Sequence, residues 1–190
     1  LVARHAGHEA NDFRGYMGRI EAGKVSVGDK LTVQPGGQSA TVKDIVTLDG
    51  SLTTAVVGQS ITLLLNEHVD ISRGDMIVSA DRPATLLKNV TADVCWLSEE
   101  PLDMRRKYWL KHTTRQVAAK VTGVDTLLDI NTQEKRPATG LTLNDIASIS
   151  LTVQQPLAAD AYDDIRATGA FILIDEVTHQ TVAAGMIRLA

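Results

Sequence analysis

The amino-acid sequence predicts an all-β protein made of two consecutive antiparallel β-barrels. Apolar runs of strand length are separated at close spacing by turns that contain glycine, and no long stretch has the 3.6-residue period of a helix. A break at Arg82-Pro83 divides the 190-residue chain, which is long enough for two small domains. We therefore predict a first domain over residues 1–86 and a second over residues 87–190.

Glycine-containing turns define the strands of the first domain. Gly23 can adopt the positive φ that a tight hairpin requires, and Pro35-Gly-Gly37 stops a strand. In Arg73-Gly-Asp75, the glycine supplies backbone freedom and the aspartate caps a turn, an interpretation that we prefer to a cell-adhesion motif. The predicted strands cover residues 16–20, 30–34, 40–48, 60–65 and 76–79.

The second domain is also predicted to be rich in strands. Within residues 147–154, Ile149, Leu151 and Val153 alternate with residues that carry hydroxyl groups, as expected of a half-buried strand. Residues 170–175 have the continuous apolar composition of a fully buried strand. The remaining predicted elements are strands at 90–97, 108–112, 116–122, 127–131 and 181–189, and a short helix at 160–166.

Charge and composition argue against two classes of function. The formal net charge is −4, and residues 1–86 carry 8 basic and 10 acidic side chains against 11 and 13 in the remainder. Neither domain has the basic excess that is typical of a nucleic-acid-binding surface. No apolar run approaches the roughly 20 residues that a membrane-spanning helix requires.

The chain has one cysteine, Cys95, which excludes an internal disulfide and fits a reducing cytoplasm. Its apolar strand context favours a buried, inert thiol over a nucleophile. The sequence begins without an initiator methionine or a signal-peptide pattern and ends directly after a strand pattern. We therefore expect both ends to continue in a longer polypeptide.

Motifs that carry chemistry are absent from the sequence. There is no G-x-x-x-x-G-K-[ST] phosphate loop, no G-x-G-x-x-G, no H-E-x-x-H, no C-x-x-C and no G-x-S-x-G. His5 and His8, with Glu9 and Asp12 nearby, have the residue types of a metal site, but a polar terminal segment is the preferred interpretation. We predict no catalytic, cofactor-binding or metal-binding residue.

One basic segment, residues 105–115, interleaves cations with Tyr108 and Trp109. Three interpretations are open: a docking surface for an acidic partner, an exposed barrel edge protected by its cations, and, as the least favoured, a site for single-stranded nucleic acid. The predicted partner interface combines this segment with Arg166 from a later loop. It consists of Arg105, Arg106, Lys111, His112, Arg115 and Arg166.

Several segments resemble a known superfamily. The second domain of elongation factor Tu and its relatives is similar to this chain at Gly18-Arg-Ile-Glu-x-Gly23, Val27-Gly-Asp29, Gly58-Gln59 and Arg73-Gly-Asp75. The closing strand of the third domain of those proteins resembles Thr181-Val-Ala-Ala-Gly-Met-Ile187. The resemblance implies the barrel pair of a translation-factor-type GTPase.

Other segments narrow the resemblance to the large, GTPase subunit of bacterial sulfate adenylyltransferase (ATP sulfurylase). The similarity extends from about Asp12 to Ile187, so it covers nearly the whole chain. The segments that carry it are 12–16, 45–50, 70–76, Cys95-Trp-Leu97, Lys111-His-Thr-Thr-Arg115, Leu143-Asn-Asp-Ile146 and 166–175.

The resemblance implies a subunit that joins a GTP-binding domain to two barrels and associates with a small catalytic subunit. That catalytic subunit makes adenylyl sulfate and pyrophosphate from ATP and sulfate, and GTP hydrolysis drives the synthesis. GTP and Mg²⁺ are expected in the domain that precedes the barrels, so no catalytic residue is carried over and this part alone is expected to be inactive. In some relatives an adenylyl-sulfate kinase domain follows.

Two alternatives to this function remain open. The chain could be a translation-factor fragment that binds tRNA or the ribosome, although its charge argues against this. It could also be a free-standing enzyme with a site between its barrels.

Overall fold

The computed structural model describes residues 2–5 and 13–189, and nearly all of its regular structure is antiparallel strand. The chain divides into two compact units, Leu1–Ala84 and Thr85–Ala190. The second unit begins with a long strand, Thr85–Trp96, which contains the position between residues 86 and 87 at which the sequence places the boundary. The predicted all-β architecture is confirmed.

The first unit contains nine strands in its described residues. Its main sheet has the order β1-β2-β8-β5-β4-β9, with β6 paired to β5, while β3 and β7 form a separate ribbon. The strands are β1 (Val2–His5), β2 (Phe13–Arg19), β3 (Lys24–Ser26), β4 (Lys30–Gln34), β5 (Gln38–Thr47), β6 (Gly50–Leu52), β7 (Thr54–Val56), β8 (Ser60–Leu65) and β9 (Met76–Ser79).

The core of this unit follows from the two-residue period of its strands. In β8, Ile61 and Leu63 are buried while their neighbours are more exposed. They pack in one cluster with buried residues of β4, β5 and the β3–β7 ribbon. The ribbon contributes Val25 and Ala55, so it covers apolar surface that the main sheet would otherwise expose.

The turns before β4 and β9 have the same hydrogen-bond pattern. The Ser26 and Ser72 backbone N–H groups each donate to the carboxylate three residues later, Asp29 and Asp75, at 2.8 Å. The intervening glycines, Gly28 and Gly74, have φ values of +90° and +97°, which residues with a side chain rarely adopt. This geometry confirms that the Arg-Gly-Asp segment forms a capped turn at the start of a strand.

The side chain of Gln34 fixes the end of the first unit. It is buried, its Nε2 donates to the Ala84 carbonyl at 3.0 Å, and its Oε1 accepts from the Ala84 N–H at 2.9 Å. These two bonds satisfy both backbone groups of Ala84 in the way that a neighbouring strand would. The last residue of the unit is therefore held by a side chain from β4.

The second unit is a closed barrel of six strands, in the order β11-β15-β16-β10-β14-β12 with β12 paired back to β11. A short strand, β13, extends β12. The elements are β10 (Thr85–Trp96), β11 (Tyr108–His112), β12 (Arg115–Leu128), β13 (Lys135–Arg136), β14 (Ile146–Ala159), α1 (Arg166–Gly169), β15 (Ala170–Asp175) and β16 (Thr181–Arg188).

The predicted alternation of residues 147–154 is confirmed, because Ile149, Leu151 and Val153 are buried in β14. Three other predictions need correction. β12 is one continuous strand because irregularities at Val121/Gly123 and Val124/Thr126 let it bend around the barrel. The predicted helix at 160–166 is instead a series of turns followed by the single turn of α1. The third correction concerns β15, whose residues alternate between the two faces.

Candidate partner interface

The predicted interface residues do not share one face of the second unit. Arg105 and Arg106 precede β11, whereas Arg115 begins β12 at the other end of the β11–β12 hairpin. Between them, Lys111 is exposed and His112 is buried, because successive strand residues face opposite sides of a sheet. Arg166 is exposed at the start of α1.

The arginines before β11 have carboxylate partners. Arg105 Nε donates to Asp103 at 3.1 Å, and this contact raises the pKa of the arginine. Arg106 lies within 3.4 Å of Asp175 and within 3.7 Å of Glu100. These cations are therefore already neutralised within the unit, which makes them weak attractors for an acidic partner.

Asp175 is the most connected of these carboxylates. Its Oδ1 accepts from the Thr178 N–H at 2.8 Å and from the Val177 N–H at 2.9 Å. The bond from the Thr178 backbone is the main reason that the pKa of Asp175 is lowered from its ordinary value. The side chain closes the turn between β15 and β16 and ties it to Arg106.

Replacing Asp175 with alanine is expected to reduce the free energy of unfolding of the second unit by about 2–3 kcal/mol, since the turn amides lose their acceptor. Asp175→Asn keeps an acceptor oxygen and should cost less. Urea denaturation of the three proteins measures the difference. Equal losses in the two variants would show that the charge, rather than the turn, determines the effect.

His112 lies inside the barrel end and holds the loop before β15. Its Nε2 is 2.7 Å from the Thr168 carbonyl oxygen. A carbonyl can only accept, so Nε2 carries the hydrogen in the neutral ring. Burial lowers the pKa of His112, against opposing contributions from the Thr168 bond and Asp160. His112 thus supports the fold and does not belong to the accessible surface of the unit.

This buried ring makes stability depend on pH. In the unfolded chain a histidine titrates near pH 6.5, and folding lowers its pKa, so the folded state binds fewer protons. The contribution of His112 is complete above about pH 6.5 and decreases below it by up to about 1.4 kcal/mol per pH unit. His112→Gln can still donate to Thr168 but does not titrate. Urea denaturation between pH 7.5 and 5.5 should show a smaller loss for this variant, and an equal loss would contradict the assignment.

Lys111 belongs to an apolar outer surface that sequence reasoning missed. Its cross-strand neighbour in β15 is Ile172, and Trp109 pairs with Ile174 in the same way. Cross-strand neighbours share a face of the sheet, so these side chains point outward together. We call this surface the apolar face and define it as Trp109, Ala118, Ile172, Ile174, Ala184 and Met186, with Lys111 among them.

The sequence signal for the apolar face is the apolar run of β15, which is longer than one buried side of a strand requires. Residues 170–175 have the burial pattern of alternating sides, with Phe171 and Leu173 inside and Ile172 and Ile174 partly exposed. The prediction of a fully buried strand was therefore wrong. A strand that is apolar on both sides, in a barrel with a filled interior, has a second apolar surface to cover.

The opposite side of the same barrel is polar. Outward residues of β10, β12 and β14 bond to one another, for example Ser148 Oγ to Asp93 at 2.5 Å and Ser150 Oγ to Asp125 at 3.1 Å. The ion pair between Arg188 and Asp93, at 2.7 Å, borders the two sides. One side of the barrel is thus polar, and the other carries the apolar face.

The closed topology also tests the edge interpretation of the basic segment. β11 is hydrogen-bonded to β15 on one side and to β12 on the other. It is therefore not a barrel edge, and its cations do not protect unpaired backbone groups. The interpretation of the basic segment as an exposed barrel edge protected by its cations is therefore wrong.

Other candidate sites contribute little. Cys95 is only partly buried, next to Ala184 on the outer surface. His8, Glu9 and Asp12 lie outside the described residues. Within the part that the structure describes, no group of three or more potential ligands could hold a metal ion. None of the helices there has both the length and the apolar character that a membrane crossing requires.

Comparison with known proteins identifies relatives of the whole chain. Residues 89–188 match the family described as GTP-eEF1A C-terminal domain-like. Sulfate adenylyltransferase subunit 1 of Laribacter hongkongensis is 43% identical over 180 residues, covering 94% of this chain and 37% of the relative. The same subunit of Psychromonas ingrahamii is 42% identical over 187 residues, covering 98% and 40%. The chain spans less than half the length of the curated relatives that it matches.

Solved structures show the same fold. A structure of sup35 complexed with GDP aligns with a TM-score of 0.85 over 98% of this chain and 45% of that chain, at 19% identity. A structure of sup35 complexed with GMPPNP gives 0.81 over 92% and 43%, at 20% identity. At such identities the likeness concerns the fold alone. The chain belongs to the GTP-eEF1A C-terminal domain-like family, and its sequence resembles the barrel region of sulfate adenylyltransferase subunit 1.

Proposed function

We propose that this chain is the non-catalytic barrel pair of a sulfate adenylyltransferase subunit 1 that works in the cytoplasm. The supporting observation is its 42–43% identity to such subunits over 94–98% of its length. In this proposal another part of the polypeptide binds GTP and Mg²⁺. A separate small subunit forms adenylyl sulfate from ATP and sulfate, and GTP hydrolysis is coupled to that synthesis.

The residues of this chain do not fit a GTP site. The sequence has no phosphate-binding loop of the G-x-x-x-x-G-K-[ST] type, so it offers no cradle of backbone N–H groups followed by a lysine for a nucleoside triphosphate. No step of GTP chemistry is therefore assigned to these residues. Their role is to present surfaces in a fixed geometry, for which the closed barrel of the second unit is well suited because it has no free edges.

The apolar face is the surface that this function uses, and its occupant is the GTP-binding part of the same polypeptide. The matched relatives are more than twice as long as this chain, so a large remainder is tethered to it. Tethering raises the effective concentration, and a modest apolar patch then suffices for docking. The nucleotide can control the enzyme if one nucleotide state contacts this face better than the other.

Introducing a charge in the middle of the apolar face tests this role. In the full-length subunit assembled with its catalytic partner, Ile172→Asp is expected to lower GTP-stimulated adenylyl sulfate synthesis at least about 10-fold, because docking would bury an unpaired carboxylate. Thr91→Asp is the control, since it adds the same charge on the polar side of the barrel, where Thr91 is exposed.

Thermal denaturation must show that both variants are folded. Equal activity of Ile172→Asp and wild type would exclude the apolar face as the docking surface. Assays on the 190-residue chain alone address the alternatives. GTP hydrolysis or sulfate adenylylation would support a free-standing enzyme, and a salt-dependent shift of tRNA would support a translation-factor fragment.

A further inference from the structure

We infer that the apolar face selects a docking surface that carries a carboxylate among apolar side chains, and that Lys111 is the selecting residue. This inference rests on the proposed function, since it names the chemistry of the surface that covers this face. The carboxylate is placed in the part of the same subunit that this chain does not span.

Lys111 is a cation surrounded by uncharged residues. It is exposed on β11, and its cross-strand neighbours are Ile172 in β15 and Gln116 in β12. Trp109 precedes it by two residues on the same face. The residues that define the surface around it provide no carboxylate.

Three arginines of the second unit meet carboxylates, whereas none of its lysines forms an ion pair with a described side chain. Arg105 contacts Asp103, Arg106 contacts Asp175, and Arg188 contacts both Asp93 and Asp163. Lys111 forms no ion pair or hydrogen bond with any side chain in residues 14–189, the range whose side chains are described. Its ammonium group is thus available to a partner, and what distinguishes it from the equally unpaired Lys120 is its place opposite Ile172 instead of Thr152.

Covering this face with a purely apolar surface would bury the ammonium group without a partner. Loss of hydration makes that arrangement unfavourable, whereas a carboxylate at the same place supplies the missing charge and hydrogen-bond acceptor. A lysine in this position thus rejects unsuitable apolar surfaces and accepts an acidic one. Since β11 is paired on both sides, protection of an edge does not account for the lysine.

A zero-length cross-linking experiment detects the contact directly. Carbodiimide joins a lysine amine to a carboxylate only when the two groups touch. In the full-length subunit assembled with its catalytic partner, mass spectrometry should find Lys111 joined to an aspartate or glutamate outside this 190-residue segment of the same polypeptide. Lys120 is the matched control, because it is exposed on the polar side of the same barrel, opposite Thr152.

Activity provides a second readout. Lys111→Glu should lower GTP-stimulated synthesis at least about 10-fold through like-charge repulsion, and Lys111→Met, which keeps the apolar stem, should lower it about 3-fold. Lys120→Glu should change it less than about 2-fold. The Lys111→Met defect should shrink as salt is raised, since ions screen the wild-type pair.

The outcomes distinguish failure of the inference about Lys111 from failure of the proposed docking function of the apolar face. If Ile172→Asp is defective but both Lys111 variants behave as wild type, the apolar face docks without selecting a carboxylate and the inference is overturned. If Ile172→Asp is also active, the docking surface itself is excluded. A cross-link from Lys111 to the catalytic subunit or to a second copy would overturn the assignment to the same polypeptide.

Discussion

Replacing Gly169 with alanine is expected to lower the free energy of unfolding of the second unit by about 3 kcal/mol or more. A Cβ at this position would lie 2.4 Å from the Tyr162 Cα and 2.5 Å from its backbone nitrogen. These atoms belong to the main chain, so no side-chain rotation can relieve the contact. The Tyr162 N–H donates to the Ile187 carbonyl at 3.0 Å, which ties that segment to β16.

The effect is measured by urea denaturation of the 190-residue protein. Gly140→Ala is the matched control, because a Cβ there would meet no atom within 4 Å. We expect that variant to differ from wild type by less than about 0.5 kcal/mol. Similar stabilities for the two variants would mean that residues 160–169 move freely enough to admit a methyl group.

Replacing Gly185 with alanine is expected to cost about 2–3 kcal/mol, because the barrel interior has no room for the added methyl group. Gly185 faces Phe171 across the β15–β16 pair, and a Cβ would lie 2.3 Å from the Cζ atom of the ring. Phe171 is only 4% exposed, so the ring has little space into which it can move. Denaturation of Gly185→Ala measures the loss.

A double-mutant cycle shows whether the ring is responsible. Phe171→Leu alone should cost about 1–2 kcal/mol through the lost apolar volume. In the double variant the leucine leaves room for the methyl group, so the two losses should fail to add by about 1 kcal/mol or more. Strict additivity would place the strain of Gly185→Ala elsewhere in the barrel.

Sequence patterns predicted the positions of strands and turns better than features that depend on contacts between distant parts of the chain. The alternation of Ile149, Leu151 and Val153 and the turn at Gly74-Asp75 are local features, and local chemistry decides them. The length of β12 was missed because its bulges depend on the curvature of the closed barrel. The helix predicted at 160–166 failed because those residues pack as turns against α1 and β16.

The sequence predicted less about the candidate interface than about the strands. A run of cations in the sequence does not reveal that Arg105 and Arg106 meet carboxylates, since Asp175 lies far along the chain. The inward position of His112, by contrast, follows from its parity with Tyr108 and Leu110. The apolar run of β15 could have indicated a second apolar surface, but its other members, such as Trp109 and Met186, follow only from the register of several strands.

The two hydrogen bonds between the Gln34 side chain and the Ala84 backbone have a consequence for joining the first unit to other domains. The last residue of the first unit, Ala84, is held by the side chain of Gln34 from the same unit. Its hydrogen bonds therefore do not depend on the identity of the polypeptide that follows. A gene fusion that joins a different sequence after this point would leave the hydrogen bonds of the terminus in place. We therefore expect the point after Ala84 to tolerate exchange of the downstream module, because the bonds that hold Ala84 lie within the upstream unit.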